Sequence, residues 1–150
     1  MNIEFDGIVK VPSTQVTIPQ QLKKDAENLT NKYTLIPLQT EKRHITLLHQ
    51  SVEGLKPLLK AHKRALKANQ ETPIKFPDNF PKDISVHSIQ FLEADNKQTV
   101  RFIIEQQKEL FDWVTDFCNL NNLTRDETEI KRIFHVSYSN KTGIPKDSVR

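Results

Sequence analysis

One local pattern occurs twice in this chain, 91 residues apart, and it restricts the fold to something built from two related halves. Residues 44–47, His-Ile-Thr-Leu, and residues 135–138, His-Val-Ser-Tyr, pair His44 with His135, Ile45 with Val136, Thr46 with Ser137 and Leu47 with Tyr138. The helical stripe before each one comes along: Leu22 falls on Trp113, Ala26 on Phe117 and Leu29 on Leu120. Lys42 against Ile133 breaks the match. A helix followed by a histidine strand, used twice, predicts an α+β chain with two similar lobes. Each lobe is expected to be an antiparallel sheet backed by helices, with the histidine strands facing one cleft.

Local signals fill in the rest. Residues 3–18 have the β-branched content and broken alternation of one or two strands, with Pro12 at an edge or bend. Residues 18–33 read as an amphipathic helix with Pro19 in its first turn. In residues 41–50 the strand period of two sends Lys42, His44, Thr46 and Leu48 to one face and Ile45, Leu47 and His49 to the other. A second helix is expected from about Val52 to Lys67, capped by Ser51, with Leu55, Leu58, Leu59, His62 and Leu66 on its apolar stripe and a basic opposite face. The proline-rich stretch 72–83 reads as a structured crossing loop between halves of roughly 1–70 and 71–150, within one domain spanning 1–150 and with strand exchange between the halves allowed. Residues 84–105 read as a hairpin turning at Ala94 to Lys97, residues 106–120 as a third helix, and residues 128–140 as strand.

Composition bounds the function classes. At 150 residues, with 36% hydrophobic and 27% charged side chains and three glycines, the chain has ordinary globular usage. No apolar run is long enough to span a bilayer, and the acidic start "MNIEFDGIVK" is unlike a secretory leader, so a cytoplasmic location is expected. The single cysteine, Cys118, excludes an internal disulfide or a cysteine-rich zinc site and falls where a buried helical thiol is expected. A net charge of +3 permits an anionic ligand without requiring one.

The repeated motif has a definite chemistry. Histidine followed at the second position by a hydroxyl sets an imidazole and an O–H side by side on one strand face, and two such pairs facing each other form a trap for a phosphate. A neutral imidazole takes the proton of an attacking hydroxyl while a protonated one gives a proton to the leaving oxygen; both states coexist near neutral pH. The hydroxyls of Thr46 and Ser137 would bond the non-bridging oxygens. His49, His62 and His87 read as structural, His49 on the core side of its strand. No metal-ligand spacing, paired carboxylates, glycine-rich phosphate loop or nucleophile elbow is present.

The elements "HIT" and "HVS", in two halves of a small chain, resemble those of the two-histidine (2H) phosphoesterase superfamily. Within it, "KVPSTQVTIPQQL" and "FHVSYSNKTGIPKDSVR" look like the tailed-phage anti-CBASS protein family. The resemblance implies a bilobal (LigT-like) fold, two antiparallel sheets with flanking helices related by a pseudo-twofold around a central cleft. It implies metal-independent cleavage of 3′–5′ bonds in cyclic di- and trinucleotide alarm signals, without a cofactor, in the host cytoplasm, countering CBASS defence. It makes His44, Thr46, His135 and Ser137 the catalytic set and leaves open which histidine is base. Phe76 and Phe80, or the segment after Tyr138, are candidates for base stacking, and Lys42 for phosphate attraction. No membrane or stable nucleic-acid partner is implied, and the oligomeric state is open. The alternatives are an RNA 2′,3′-cyclic phosphodiesterase for RNA ends, and a non-catalytic nucleotide or RNA binder using the basic helix around Lys60 to Lys67.

Overall fold

The computed structural model describes residues 2–146; residues 147–150, the end of the second segment that carries the resemblance, lie outside the described residues. In chain order the elements are β1 (Glu4–Phe5), β2 (Val9–Pro12), β3 (Val16–Thr17), α1 (Gln20–Lys32), β4 (Ile36–Pro37), β5 (His44–Leu48), α2 (Leu55–Lys67), β6 (Ile84–Ala94), β7 (Lys97–Ile104), α3 (Gln107–Leu120), α4 (Glu127–Lys131) and β8 (His135–Asn140). Asp95 and Asn96, at φ of 51° and 61°, make the two-residue turn of the long β6–β7 hairpin; two adjacent left-handed residues match the twist of paired strands, and Asp and Asn tolerate that conformation.

Hydrogen bonding joins the strands in the order β1-β2-β5-β8-β7-β6-β3, with β4 added on β8. The order is a palindrome about the β5–β8 junction, apart from β3 and β4. At that junction Ile45 lies opposite Val136 in an antiparallel pair, and these are the residues that the 91-residue offset relates. An antiparallel pair has a local twofold axis at its centre, so the repeat in the sequence is a dyad in space. The offset extends outward. Val11, opposite Ile45, maps onto Phe102, opposite Val136, and the register shift between Val9 and Lys10 recurs between Val100 and Arg101.

Two expectations change. The strands form one continuous path rather than two separate sheets, because β5 and β8 bond to each other, and the sheet is mixed because β3 pairs parallel with β6. The sequence halves are also not the packing units. Helix α1 packs on β6, β7 and β8, with Tyr33 stacked on Phe91 at 4.2 Å and the Thr30 and Ser139 hydroxyls bonded at 2.7 Å. Helix α3 packs against β5, and its Phe117 stacks on Phe5 of β1. Each helix thus covers the strands of the other half.

Residues 128–133, expected to be strand, begin within α4 instead. Asp126 caps it by accepting from the Glu129 N–H at 2.9 Å, an Asp-x-x-Glu start that outweighs the alternation read there. Helix α2 begins after Gly54 rather than Ser51. Gly54 has φ of 89°, and a β-carbon there would press on the Leu123 side chain and the Asn122 carbonyl, at 3.2 and 3.3 Å. Leu66 and Leu120 are exposed, so the apolar stripes of α2 and α3 are narrower than their periodicity suggested. No helix among the described residues is long and apolar enough to cross a membrane.

Phe117, fully buried, touches Phe5, Phe76 and Trp113 and so ties α3 to the other half. Phe117→Ala is expected to lower stability by about 3–5 kcal/mol, measured by urea unfolding. A loss below about 1 kcal/mol would contradict the exchanged-helix core.

Candidate active site

Ile45 and Val136 are both fully buried, and that burial fixes the parity of the two strands through them. One residue either way, on the opposite face, lie His44 and Thr46 of β5 and His135 and Ser137 of β8. Across the strands each imidazole position is nearest the other motif's hydroxyl position, and the two histidines are diagonal neighbours. In such a ladder that diagonal is about 7–8 Å, room for a phosphoryl group between the rings. All four residues line one open cavity of about 200 Å³.

The two rings are held alike. His44 Nδ1 lies 2.8 Å from the Lys42 carbonyl and His135 Nδ1 lies 2.9 Å from the Ile133 carbonyl, in each case two residues back. A carbonyl oxygen only accepts, so Nδ1 carries the proton and the basic lone pair of each neutral ring is on Nε2. Proton exchange with a ligand is thereby assigned to Nε2 at both positions.

Each histidine strand also has a brace. The Gln107 side chain donates to the Ile104 and Phe134 carbonyls at 2.8 and 2.7 Å and accepts from the Phe134 N–H at 2.9 Å, pinning the chain just before His135. On the other side Arg132 donates to the Thr46 and Leu47 carbonyls, at 2.9 and 3.3 Å, and to the Glu129 carboxylate at 2.7 Å. Glu129 also receives the His49 backbone N–H at 3.0 Å and lies 2.8 Å from His49 Nδ1. Burial by itself would raise the Glu129 pKa, but the hydrogen bonds from His49 and Arg132 and the Arg132 charge outweigh it and hold the value at about 2.

Of the residues expected in the site, His44, Thr46, His135, Ser137 and Lys42 share the cleft. Lys42 does so from a tight turn rather than from the strand face. Phe76 and Phe80 are not brought together with them. Phe80 stands edge-on against Trp113 and Phe76 against Phe5 and Phe117, so both are consumed by α3 packing, and they line a separate groove. From the segment after Tyr138, Pro145 and Lys146 line the cleft; Tyr138 itself lies between Arg43 and Phe102. His49 is a further correction. The strand ends at Leu48, parity lapses, and Glu129 holds the His49 ring at the cleft wall.

Arg101, Arg132, Thr99 and His49 also line the wall and were not among the expected site residues. Arg101 had a signal, a lone cation within an apolar strand run that the offset pairs with Lys10. Among the described residues lining the cleft there is no carboxylate, and four, Lys42, Arg101, Arg132 and Lys146, carry cationic side chains. The surface suits an anion. No group of three or more His, Cys, Asp or Glu among the described residues is placed to hold a metal ion. Cys118 is buried away from the cleft and burial pushes its thiol pKa up. Comparison with protein-family models, curated proteins and solved structures gave no match.

Because the Glu129 carboxyl is more acidic folded than unfolded, its contribution is present above the unfolded value near 4.5 and is lost as pH falls from there towards 2. Wild-type stability, measured by urea unfolding at a series of pH values, is expected to drop by on the order of 3 kcal/mol more than that of Glu129→Gln across this window. Parallel curves for the two proteins would rule out the brace.

Proposed function

We propose that this chain is a metal-independent phosphodiesterase that cleaves 3′–5′ bonds of cyclic di- and trinucleotide immune signals, acting in the host cytoplasm against CBASS antiphage defence. The observation that supports the chemistry is the pair of imidazoles related by the dyad. Each has Nδ1 tied to a carbonyl and a hydroxyl beside it, in a cleft walled by cations. Attack by the ribose 2′-hydroxyl on phosphorus needs one Nε2 to take a proton and the other to give one, with no other acid or base. The palindromic strand order favours a bilobal two-histidine arrangement for the fold, with the cleft on the pseudo-twofold. The cyclic substrate class rests on the resemblance of residues 10–22 and 134–150 to the anti-CBASS family.

Purified protein in EDTA, incubated with cyclic di- and trinucleotides and with RNA bearing 2′,3′-cyclic phosphate ends, is expected to linearise the cyclic compounds, followed by mass spectrometry. Cyclic compounds left intact would sink the proposal. Faster turnover of the RNA ends would instead make the protein an RNA-end phosphodiesterase, and ligand bound but recovered unchanged would make it a binder.

His44→Ala and His135→Ala are each expected to cost at least about 100-fold in kcat/KM, with circular dichroism unchanged. Thr46→Val and Ser137→Ala each remove one hydrogen bond to charge, a loss of about 1.5–3 kcal/mol, or roughly 10- to 150-fold. The pH–rate profile is expected to be bell-shaped. Near-wild-type rates from both histidine variants would falsify the catalytic assignment.

A further inference from the structure

The Thr99 hydroxyl is buried and makes no hydrogen bond. Thr99 is 4% exposed and lines the cleft, on the face of β7 opposite to Val100, which is fully buried in the core. A buried hydroxyl without a partner costs stability, and at the wall of a cleft a ligand supplies the missing bond. We propose that the Thr99 end of the cleft is a nucleobase subsite, in which Thr99 Oγ1 hydrogen-bonds the edge of a base whose phosphate lies between the two histidines. The proposal deepens the phosphodiesterase reading above and rests on it for the place of the phosphate.

Thr99 stands between Leu92 of β6 and Asn140 of β8. Asn140, its polar neighbour across the ladder, is already engaged. Its side-chain carbonyl accepts from the Thr142 and Gly143 N–H groups at 3.0 and 2.6 Å, and its amide donates to the Ile144 carbonyl at 2.8 Å. Those bonds fold the turn that brings Pro145 to the cleft. Leu38 arrives from the other side of β8, where its N–H donates to the Tyr138 carbonyl at 2.9 Å. Leu38, Leu92 and Pro145 thus give this end of the cavity aliphatic walls, with one unpartnered hydroxyl among them.

Position and chemistry both suit a base. Arg101 lies opposite Ser137, and Thr99 is two residues further along β7, about 7 Å at the rise of a strand. With a phosphoryl group at the histidines, one ribose spans that gap and carries its base to Thr99. A base has apolar faces to set against aliphatic walls and a polar edge that needs a partner. A sugar or a second phosphate has polar groups all round, and the same walls would leave them unsatisfied. A hydroxyl donates and accepts, so it can serve the edge of a purine or of a pyrimidine.

The test combines binding with stability. Nucleoside 3′-monophosphates and ribose 3-phosphate carry the phosphate without a scissile diester, so isothermal titration calorimetry reads the subsite without turnover. Wild type is expected to bind at least one of the nucleotides more tightly than ribose 3-phosphate. Thr99→Val, which exchanges the hydroxyl for a methyl of similar size, is expected to weaken that nucleotide roughly 3- to 10-fold and to leave ribose 3-phosphate unchanged. Its urea midpoint without ligand is expected to equal or exceed that of wild type, because an unpartnered buried hydroxyl has been removed. Thr99→Ser keeps the hydroxyl and is expected to keep the nucleotide affinity.

Unchanged nucleotide affinity in Thr99→Val, the result if water alone completes the hydroxyl, overturns the subsite. So does an equal loss for ribose 3-phosphate. A lower urea midpoint for Thr99→Val would make the hydroxyl structural and overturns it too. Cyclic dinucleotides left intact by a wild type that shows the Thr99-dependent preference would overturn the phosphodiesterase reading while supporting the subsite, so the two failures are distinct.

Discussion

The contact between Ile45 and Val136 is the constraint on which the rest of the molecule depends. It joins the β1-β2-β5 block to the β8-β7-β6-β3 block in one sheet, and both side chains are completely buried. Since strand side chains alternate, burying these two puts His44, Thr46, His135 and Ser137 together on the other face. A slip of one residue in either strand would turn an imidazole into the core and an aliphatic side chain into the cleft. The same backbone pairing thus joins the halves at the centre of the sheet and brings two remote histidines within reach of one ligand.

Exchange of helices makes this arrangement hard to break. Had each helix packed on its own half, the junction would be the weakest plane of the fold. With α1 on the second half's strands and α3 on the first half's, neither half owns a complete core, and separation of the halves would expose Phe117, Trp113 and Tyr33 together. The cleft geometry then inherits the stability of the whole domain. Polar braces refine it locally, Gln107 before His135 and the Arg132–Glu129 pair behind Thr46. They are chemically unlike, so the dyad lives in the backbone while its supports differ.

Much of this was legible in the sequence because it is local or strictly periodic. The hairpin turn, α1, α3 and the parity of His44 with Thr46 and of His135 with Ser137 follow from periodicity and turn chemistry alone. The offset of 91 residues carried more than its sparse identities suggested, since backbone register obeys it even where side chains do not, as at Val11 and Phe102. What stayed hidden depends on long-range packing. Phe76 and Phe80 looked available for stacking because nothing local shows that α3 comes to lie against them. His49 was sent to the core by a parity rule that stops applying where the strand stops, and the carboxylate that holds it is 80 residues away.

Where the repeat fails is as informative as where it holds. His44 and Thr46 have their counterparts in His135 and Ser137, the groups that would move protons and hold oxygens in the proposed reaction. Much of the remaining polar wall is unmatched: Lys42 faces Ile133 under the offset, Thr99 faces Ile8 and Lys146 faces Leu55, although Arg101 faces Lys10. A phosphodiester is itself unsymmetrical, with a secondary hydroxyl attacking and a primary oxygen leaving. A perfectly twofold cleft would bind it equally well in two orientations, only one of which presents the right oxygen to the right ring. In the proposed reaction, unmatched cations on one wall would remove that degeneracy by biasing the seat of the anionic oxygens. Divergence between the halves is therefore what the proposed chemistry would require of the wall, and a matched dyad is what it would require of the floor.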